Sequence, residues 1–447
     1  MKKILKFGTV ALGAAVLFTS CGSTSNVADY NDAYNAKNYD KCIEILDAQE
    51  KDTILAGLDA SMLQYFKKDY VASGRRFTDT QAEMQTVTKD MTAAKVMEAA
   101  LVSENSVTYS GSTYERLLAY SMKAVNSFKM GNPANAVGVM NDYTGNYKDE
   151  ITALVQQQKE IARESEGLTE NDNFKKAESA LKVVGVELPT SGAPAASTEP
   201  VYEASPFLAY LGTLAYASNG DSVHAKEFAS SVLKSTDSKV DVSEDLDVPA
   251  GKGRLDVVTL TGLIAKRTEG VNKFDFDTIS ALIGAPVYFK MVYPSYVPQE
   301  KVVSVNKVSL SNGASEKVTL IEDFDEAVRK DVESKARSAF KRSMFRNVTK
   351  TSAVIAGAVA SVNAAKNPLA QKAALKAFEV SYGPIMEAET ADIRQGSYFP
   401  SKAHTAGFTV DPGKYTVTVE YSDGSKDVQE VTVEAGKPTV VISEKMN

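Results

Sequence analysis

The sequence predicts an α+β protein, with helical repeats in its first half and then an α+β domain with an antiparallel sheet. Three observations carry that prediction. Helical spacing recurs through the first half, as at Phe207, Leu211, Leu214 and Ser218. From Gly251 onward, β-branched and aromatic runs such as Leu255 to Leu260 replace it. Near residue 415 strict alternation sets in, with Tyr415, Val417, Val419 and Tyr421 between Thr416, Thr418 and Glu420.

The chain opens with a secretory signal. Lys2, Lys3 and Lys6 precede an apolar stretch from Phe7 to Phe18, too short to span a bilayer. Leu17-Phe18-Thr19-Ser20-Cys21 then reads as a lipoprotein cleavage box. Residues 1–20 are thus expected to be removed and Cys21 acylated, with residues 21–28 forming a polar tether. Several acyl chains on one cysteine anchor stably, where one chain alone is marginal. An ordinary signal peptide with a chance cysteine is the competing reading. Gly22 favours outer-membrane sorting, so the protein is expected in the cell envelope, lipid-anchored.

Residues 29–242 are expected to form the helical domain. Four segments within it align: Lys37-Asn38-Tyr39-Asp40-Lys41-Cys42, Lys68-Asp69 to Ser73, Gly131-Asn132 to Ala136, and Gly220-Asp221 to Ala225. Each has a turn-forming pair, then a small residue at one fixed offset. The pattern resembles the tetratricopeptide repeat, in which the small residue lets two antiparallel helices approach closely. A non-repeating bundle is the alternative. Residues 79–105 read as one long helix, and 188–204, rich in Pro, Ala, Ser and Thr, as a loop.

The acidic stretch around Ser243 to Asp247 marks the expected boundary, with the α+β domain at 250–447. Strands are expected at Leu255 to Leu260, Val287 to Val292 and Val302 to Leu310. Asp323 should cap a helix, with Glu326 completing a capping box. Phe324, Val328, Val332, Ala336, Ala339 and Phe340 form its apolar stripe, and Arg329, Lys330, Lys335, Arg337, Lys341 and Arg342 lie largely away from it. Ala353 to Ala365 reads as a buried core helix, or else as a membrane-dipping segment. A meander follows through Ser422-Asp423-Gly424-Ser425 and Ala435-Gly436-Lys437-Pro438, and Pro412-Gly413 suits a type II turn with φ > 0 at the glycine.

In Tyr114-Glu115-Arg116-Leu117-Leu118, Gly251-Lys252-Gly253, Ala285-Pro286-Val287-Tyr288 and Asp323 to Lys350, the chain resembles a group of bacterial lipoproteins with tetratricopeptide-like repeats and an uncharacterised function. The most specific piece is Ala391 to Pro400, followed by Asp411-Pro412-Gly413-Lys414-Tyr415. The group tends to carry an aromatic residue, usually tryptophan, soon after the arginine of that piece, and this chain has no tryptophan. The resemblance implies fold and location and brings no activity.

Chemistry-bearing motifs are sparse. The 447 residues include two histidines, His224 and His404, and neither sits at metal-ligand spacing. With Cys21 given to lipid, Cys42 has no partner in the chain and reads as a small packing residue. The formal charge of -7 disfavours nucleic acid. No cofactor, catalytic residue or metal is implied. Asp392 and Arg394 are expected either to form a charge-assisted bridge or to touch a ligand. Tyr65, Tyr120 and Tyr210, on the first helices of the pairs, are expected either to anchor a partner in a concave face or to pack between repeats. The expected function is a non-enzymatic scaffold, held to the membrane through Cys21 and binding an envelope protein. The alternatives are an accessory subunit of a secretion or cell-wall-synthesis assembly and, remotely, a cell-wall hydrolase.

Overall fold

The computed structural model describes residues 24–197, 201–243, 246–299 and 303–446. The signal segment and Cys21 lie outside the described residues. Helix α1 (Thr24–Asn35) takes up most of the expected tether.

Four helical hairpins share one turn. They are α1 with α2 (Tyr39–Asp47), α3 (Thr53–Phe66) with α4 (Tyr70–Asp90), α6 (Thr113–Lys129) with α7 (Pro133–Asp142), and α10 (Pro206–Ser218) with α11 (Ser222–Ser235). In each, one residue turns left-handed: Lys37, Lys68, Gly131 or Gly220, with φ between 55 and 77. The next residue, Asn38, Asp69, Asn132 or Asp221, donates its N–H back to the preceding helix at 2.8, 3.0, 2.9 and 3.0 Å. Its side chain then caps the following helix by accepting the N–H of Lys41, Ala72, Asn135 or His224. The small residue four positions on, Cys42, Ser73, Ala136 or Ala225, is fully buried where the two helices meet. At Gly212 the approach is closer still, since a Cβ there would lie 2.4 Å from the Phe228 ring.

Successive hairpins pack through α2 on α3, α4 on α6 and α7 on α10. The remaining helices of this half are α5 (Ala93–Val102), α8 (Lys148–Glu166) and α9 (Asp172–Val183). The single helix expected over 79–105 breaks at Met91, because Thr92 leaves the helical conformation and caps α5 through the Lys95 N–H. Between α9 and α10 the described residues form neither helix nor strand, as the Pro-rich composition dictates.

The second half carries β1 (Gly253–Leu263), β2 (Lys266–Asp275), α12 (Asp277–Ile283), β3 (Tyr288–Val297), β4 (Val305–Leu310), β5 (Ser315–Glu316) and β6 (Thr319–Asp323). After them come α13 (Phe324–Ala364), α14 (Pro368–Glu387), β7 (Pro400–Val410), β8 (Gly413–Tyr421), β9 (Lys426–Val433) and β10 (Pro438–Lys445). One sheet has the order β10-β1-β7-β6, a second β5-β4-β8-β9, and β2 pairs with β3 alone. Pairing is antiparallel except where β10 lies parallel to β1. The expected meander therefore ends after β9, and the Gly436 turn carries the chain into the other sheet. Gly413 opens β8 opposite Val433 and has no positive φ, so the turn expected there is not of type II; Gly424 and Gly436 take the left-handed positions instead.

β1 is buried on both faces. Leu255 and Val257 pack with Phe408, Val417 and Val419 between the two sheets, while Val258 and Leu260 face the helices. The result is three layers, helices on sheet on sheet. α13 runs 41 residues, about 60 Å, and joins two cores. Phe324, Val328 and Val332 enter the helix–sheet core; Phe340, Met344 and Val348 pack with Phe289 and Met291 of β3. Asp323 caps α13 as expected, but Glu326 binds Arg329 at 2.7 Å rather than closing a box. Residues 353–364 continue α13 rather than forming a helix of their own, and only Ile355, Ala358 and Val359 among them are buried. No described helix is long and apolar enough to cross a membrane.

The change from helices to strands falls near the expected place, yet the core does not divide there. Leu58, Leu117, Phe207 and Leu211 share one apolar cluster with Val258, Leu260, Phe399 and Ile442. A single proteolytic cut between residues 246 and 252 is accordingly expected to leave both pieces together. Gel filtration of the nicked chain without denaturant tests this: one co-eluting peak is expected, and two separated fragments would show the halves to be independent.

Candidate functional site

In three of the four hairpins the first helix, α3, α6 or α10, is buried along nearly its whole length. Two parts of the second half cover them. One is the sheet, and the other is the irregular stretch from Glu389 to Phe399 between α14 and β7.

A buried stretch without regular structure needs side-chain partners for its backbone. Glu115 of α6 accepts the Gly396 N–H at 2.7 Å and also the Ser112 N–H at 2.7 Å. Asp59 of α3 accepts the Ser397 N–H at 2.7 Å, and Glu269 of β2 accepts the Ala391 N–H at 2.8 Å. The Gln395 amide bridges Ala265 and Arg267, donating to the Ala265 carbonyl at 2.9 Å and accepting the Arg267 N–H at 3.1 Å. The Tyr398 hydroxyl lies 2.8 Å from that of Tyr30, and its ring stacks on Tyr34.

Asp392 and Arg394 form the expected bridge. Arg394 donates through Nε and Nη2 to the two oxygens of Asp392, both at 2.9 Å. It also reaches Asp52 and the Val107 carbonyl, each at 2.8 Å, and lies over the Tyr109 ring. Burial pushes the Asp392 carboxyl up, but the hydrogen bonds and charge of Arg394 outweigh it and hold the group below its ordinary range. The pair ties the stretch to the start of α3 and to the loop before α6.

The three tyrosines do not line an open face. Tyr65, Tyr120 and Tyr210 are all buried. Tyr65 donates to Glu444 of β10. Tyr210 lies 2.6 Å from the Thr405 hydroxyl of β7 and 3.3 Å from Asp256 of β1. Tyr120 sits among Tyr143 and Tyr147. Two of the three thus serve the chain's own sheet, and none is available to anchor an outside protein. His224 is exposed, bonded to Asp221 at 2.7 Å and stacked on Tyr216. Cys42 is a packed thiol, pushed up to about 11 by burial.

Reading the helices by stripe missed the buried charges. Arg342, expected away from the apolar stripe, is buried, as is Arg346. Arg346 Nε binds both oxygens of Glu389 at 3.0 and 3.1 Å, and its Nη1 reaches Glu104 at 2.9 Å. Arg342 holds the two Glu104 oxygens at 2.9 and 2.8 Å. Burial opposes ionisation of Glu104, but the two arginines outweigh it and lower its pKa. Beside this cluster, Arg267 binds Asp331 and donates to Ser112 at 2.6 Å.

Between α5, α8, α13 and the loop before α6 these charges border a cavity of about 170 Å³. Its lining mixes apolar side chains, Met91, Val96, Leu154 and Ile161, with polar ones, Thr113, Gln158, Arg267, Asp331 and Arg342. Asp392 is part of its wall, whereas Arg394 is not. Among the described residues, no group of three or more His, Cys, Asp or Glu stands in a metal-binding arrangement.

Two buried carboxylates have strongly raised pKa values. Burial, with the charge of Glu115, pushes Asp59 up to about 8, against the opposing bonds from Ser397. Burial pushes Glu322 up to about 7 although Ser205, Tyr202 and the Phe207 N–H bind it. In the folded state each holds a proton that the unfolded chain has lost above about pH 4. Their contribution to stability is complete below that pH and is lost as pH rises through 7 and 8. Denaturant unfolding at pH 5 and pH 7 should therefore show wild type losing about 2 kcal/mol or more over that interval. The double variant Asp59→Asn, Glu322→Gln should lose much less, and an unchanged slope would remove these groups as the cause.

Comparison of the chain with protein-family models, characterised proteins and solved structures yields no match.

Proposed function

We propose that the chain is a non-enzymatic scaffold of the bacterial cell envelope, anchored by lipid on Cys21, that holds a protein partner on the outward helices of its hairpin array. The observation that supports this reading is the division of labour within the hairpins. The inner helices α3, α6 and α10 are taken up by the chain's own sheet and by Glu389 to Phe399. The outward helices remain on a braced, solvent-facing surface. Val71 of α4 and Val223 of α11, 61% and 66% exposed, stand two residues after the capping aspartates Asp69 and Asp221. Two hairpins thus offer an apolar side chain at the same position of the same turn. The resemblance to lipoproteins with tetratricopeptide-like repeats supports the same class of function.

Anchoring and partner binding are tested separately. Cys21→Ala should abolish labelling by a fatty-acid analogue and release the protein from the membrane fraction; equal labelling of variant and wild type would end the lipid assignment. For the partner, a photo-crosslinking amino acid is placed at Val71, Val223 and, as a control on β9, at Val428, which is 58% exposed. Discrete adducts at the first two positions and none at the third are expected in intact cells. The same adducts at all three, or none at Val71 and Val223, would overturn the outward face as the binding surface.

A further inference from the structure

The hairpin of α13 and α14 is rooted in a core at its base and bare at its tip. Ile355, Ala358 and Val359 of α13 share that core with Phe378, Tyr382 and Met386 of α14. Beyond them, from Ala360 to Ala377, no residue is buried. Helix α14 begins at Pro368, so it runs about 15 Å before Phe378 secures it.

The tip combines two properties. Its exposed surface is largely apolar: Ala360, Ala364, Pro368, Ala373 and Ala377 face solvent, and Leu369 is 77% exposed. It is also basic. No Asp or Glu occurs between Glu333 and Glu379, in a chain whose formal charge is -7. Lys366 and Lys372 are exposed and meet no carboxylate among the described residues, while Lys376 lies 3.5 Å from Glu379. The neighbouring α12 carries one charge, Asp277 at its start.

Those properties decide what covers the tip. Bare apolar surface favours a phase that excludes water, and lysines without a counter-charge favour an anionic surface. A protein partner is usually anchored by aromatic side chains or arginine, and residues 360–377 include neither. Nucleic acid would match the lysines and leave Leu369 in water. An anionic bilayer interface satisfies both demands. It takes small apolar side chains below its phosphates, while the long lysine stems reach back up to them.

We propose that the α13–α14 tip is a membrane-contact element, which seats Leu369 and its neighbouring alanines in the interface of an anionic bilayer and sets Lys366 and Lys372 on lipid phosphates. The tip rests in the interface and does not cross, since no described helix is long and apolar enough for that. This contact is independent of an acyl group on Cys21 and of any protein held on the outward helices α4 and α11.

The test is vesicle co-sedimentation of the chain from residue 21 onward with Cys21→Ala, so that neither signal segment nor acyl group contributes. Vesicles of phosphatidylethanolamine with phosphatidylglycerol should bind it with half-saturation at about 1 mM lipid or below. Vesicles of phosphatidylcholine alone should bind it at least about tenfold more weakly. Lys366→Gln together with Lys372→Gln should weaken binding about 25-fold, and Leu369→Ser about tenfold. All three side chains are exposed, so the melting temperature should stay at its unsubstituted value. Val428→Ser, on exposed β9 surface, should change neither binding nor melting. A chain that ignores anionic vesicles, or binds both kinds equally, would overturn the inference. So would tip variants that bind as well as the chain with an intact tip. If a second copy covers the tip instead, gel filtration will show dimers that the tip variants abolish, with no vesicle binding, and the inference falls.

Discussion

Replacing Arg346 with methionine is expected to destabilise the protein by about 3–5 kcal/mol, the usual cost of leaving a buried charge without its partner. Arg346 is 1% exposed and serves two carboxylates at once, Glu389 through Nε and Glu104 through Nη1. It also donates to the Ala100 carbonyl at the end of α5. Methionine matches much of its length and none of its donors. Glu104 keeps Arg342, so the larger share of the penalty falls on Glu389. Adding Glu389→Gln to Arg346→Met should therefore recover part of the loss, because a neutral amide replaces the stranded carboxylate. Urea unfolding of the two variants decides it: no recovery in the double variant would mean that the loss reflects packing rather than charge. Arg346→Lys should rescue poorly, since one ammonium cannot span the two acids as a planar guanidinium does.

Phe399→Ala is expected to cost a similar amount, about 3–5 kcal/mol, through the apolar surface lost and the cavity left behind. Its ring is fully buried, lies 6.2 Å from that of Phe77 on α4, and joins the cluster containing the three inner helices and strand β1. The loss should appear as one shifted transition, seen alike by a probe of the hairpins and a probe of the sheet. A variant in which the hairpins keep their wild-type midpoint while the sheet unfolds early would show that the shared core is not cooperative.

Local features were the legible ones. The hairpin turns could be read because everything they need lies within six residues: a left-handed residue, a capping Asn or Asp, and a small residue four positions on. Asp392 and Arg394 were legible for the same reason, being two residues apart. The break at Met91 was signalled by Thr92, a capping residue inside a helical pattern, and so was recoverable. Partners distant in the chain were not legible. Nothing near Arg342 or Arg346 marks them as interior, because Glu104 lies some 240 positions away. β10 replaces the alternation of β9 with a continuous apolar run, Val440-Val441-Ile442, but the partner that draws it out of the meander, β1, lies far back in the chain. The tyrosines were misplaced by the same blindness, since the sheet that covers them is invisible from the hairpins alone. One clue to that cover was present: Asp59 is a lone carboxylate inside the run from Ile54 to Leu63, where an open array has no use for it.

The stretch from Glu389 to Phe399 also bears on the order of folding as the chain emerges, N-terminus first. Tyr30 and Tyr398 meet across 368 residues of sequence, and Tyr65 and Glu444 across 379. Such closures are slow, since the chain must pay the loop entropy before the contact is made. The hairpins are local and are synthesised first, so they can form while their inner helices still lack the cover that arrives last. Until residue 399 emerges, Leu58, Leu117 and Leu211 belong to an exposed apolar surface. The nascent chain is then prone to self-association and dependent on chaperones, and a copy cut short before β7 never leaves that state.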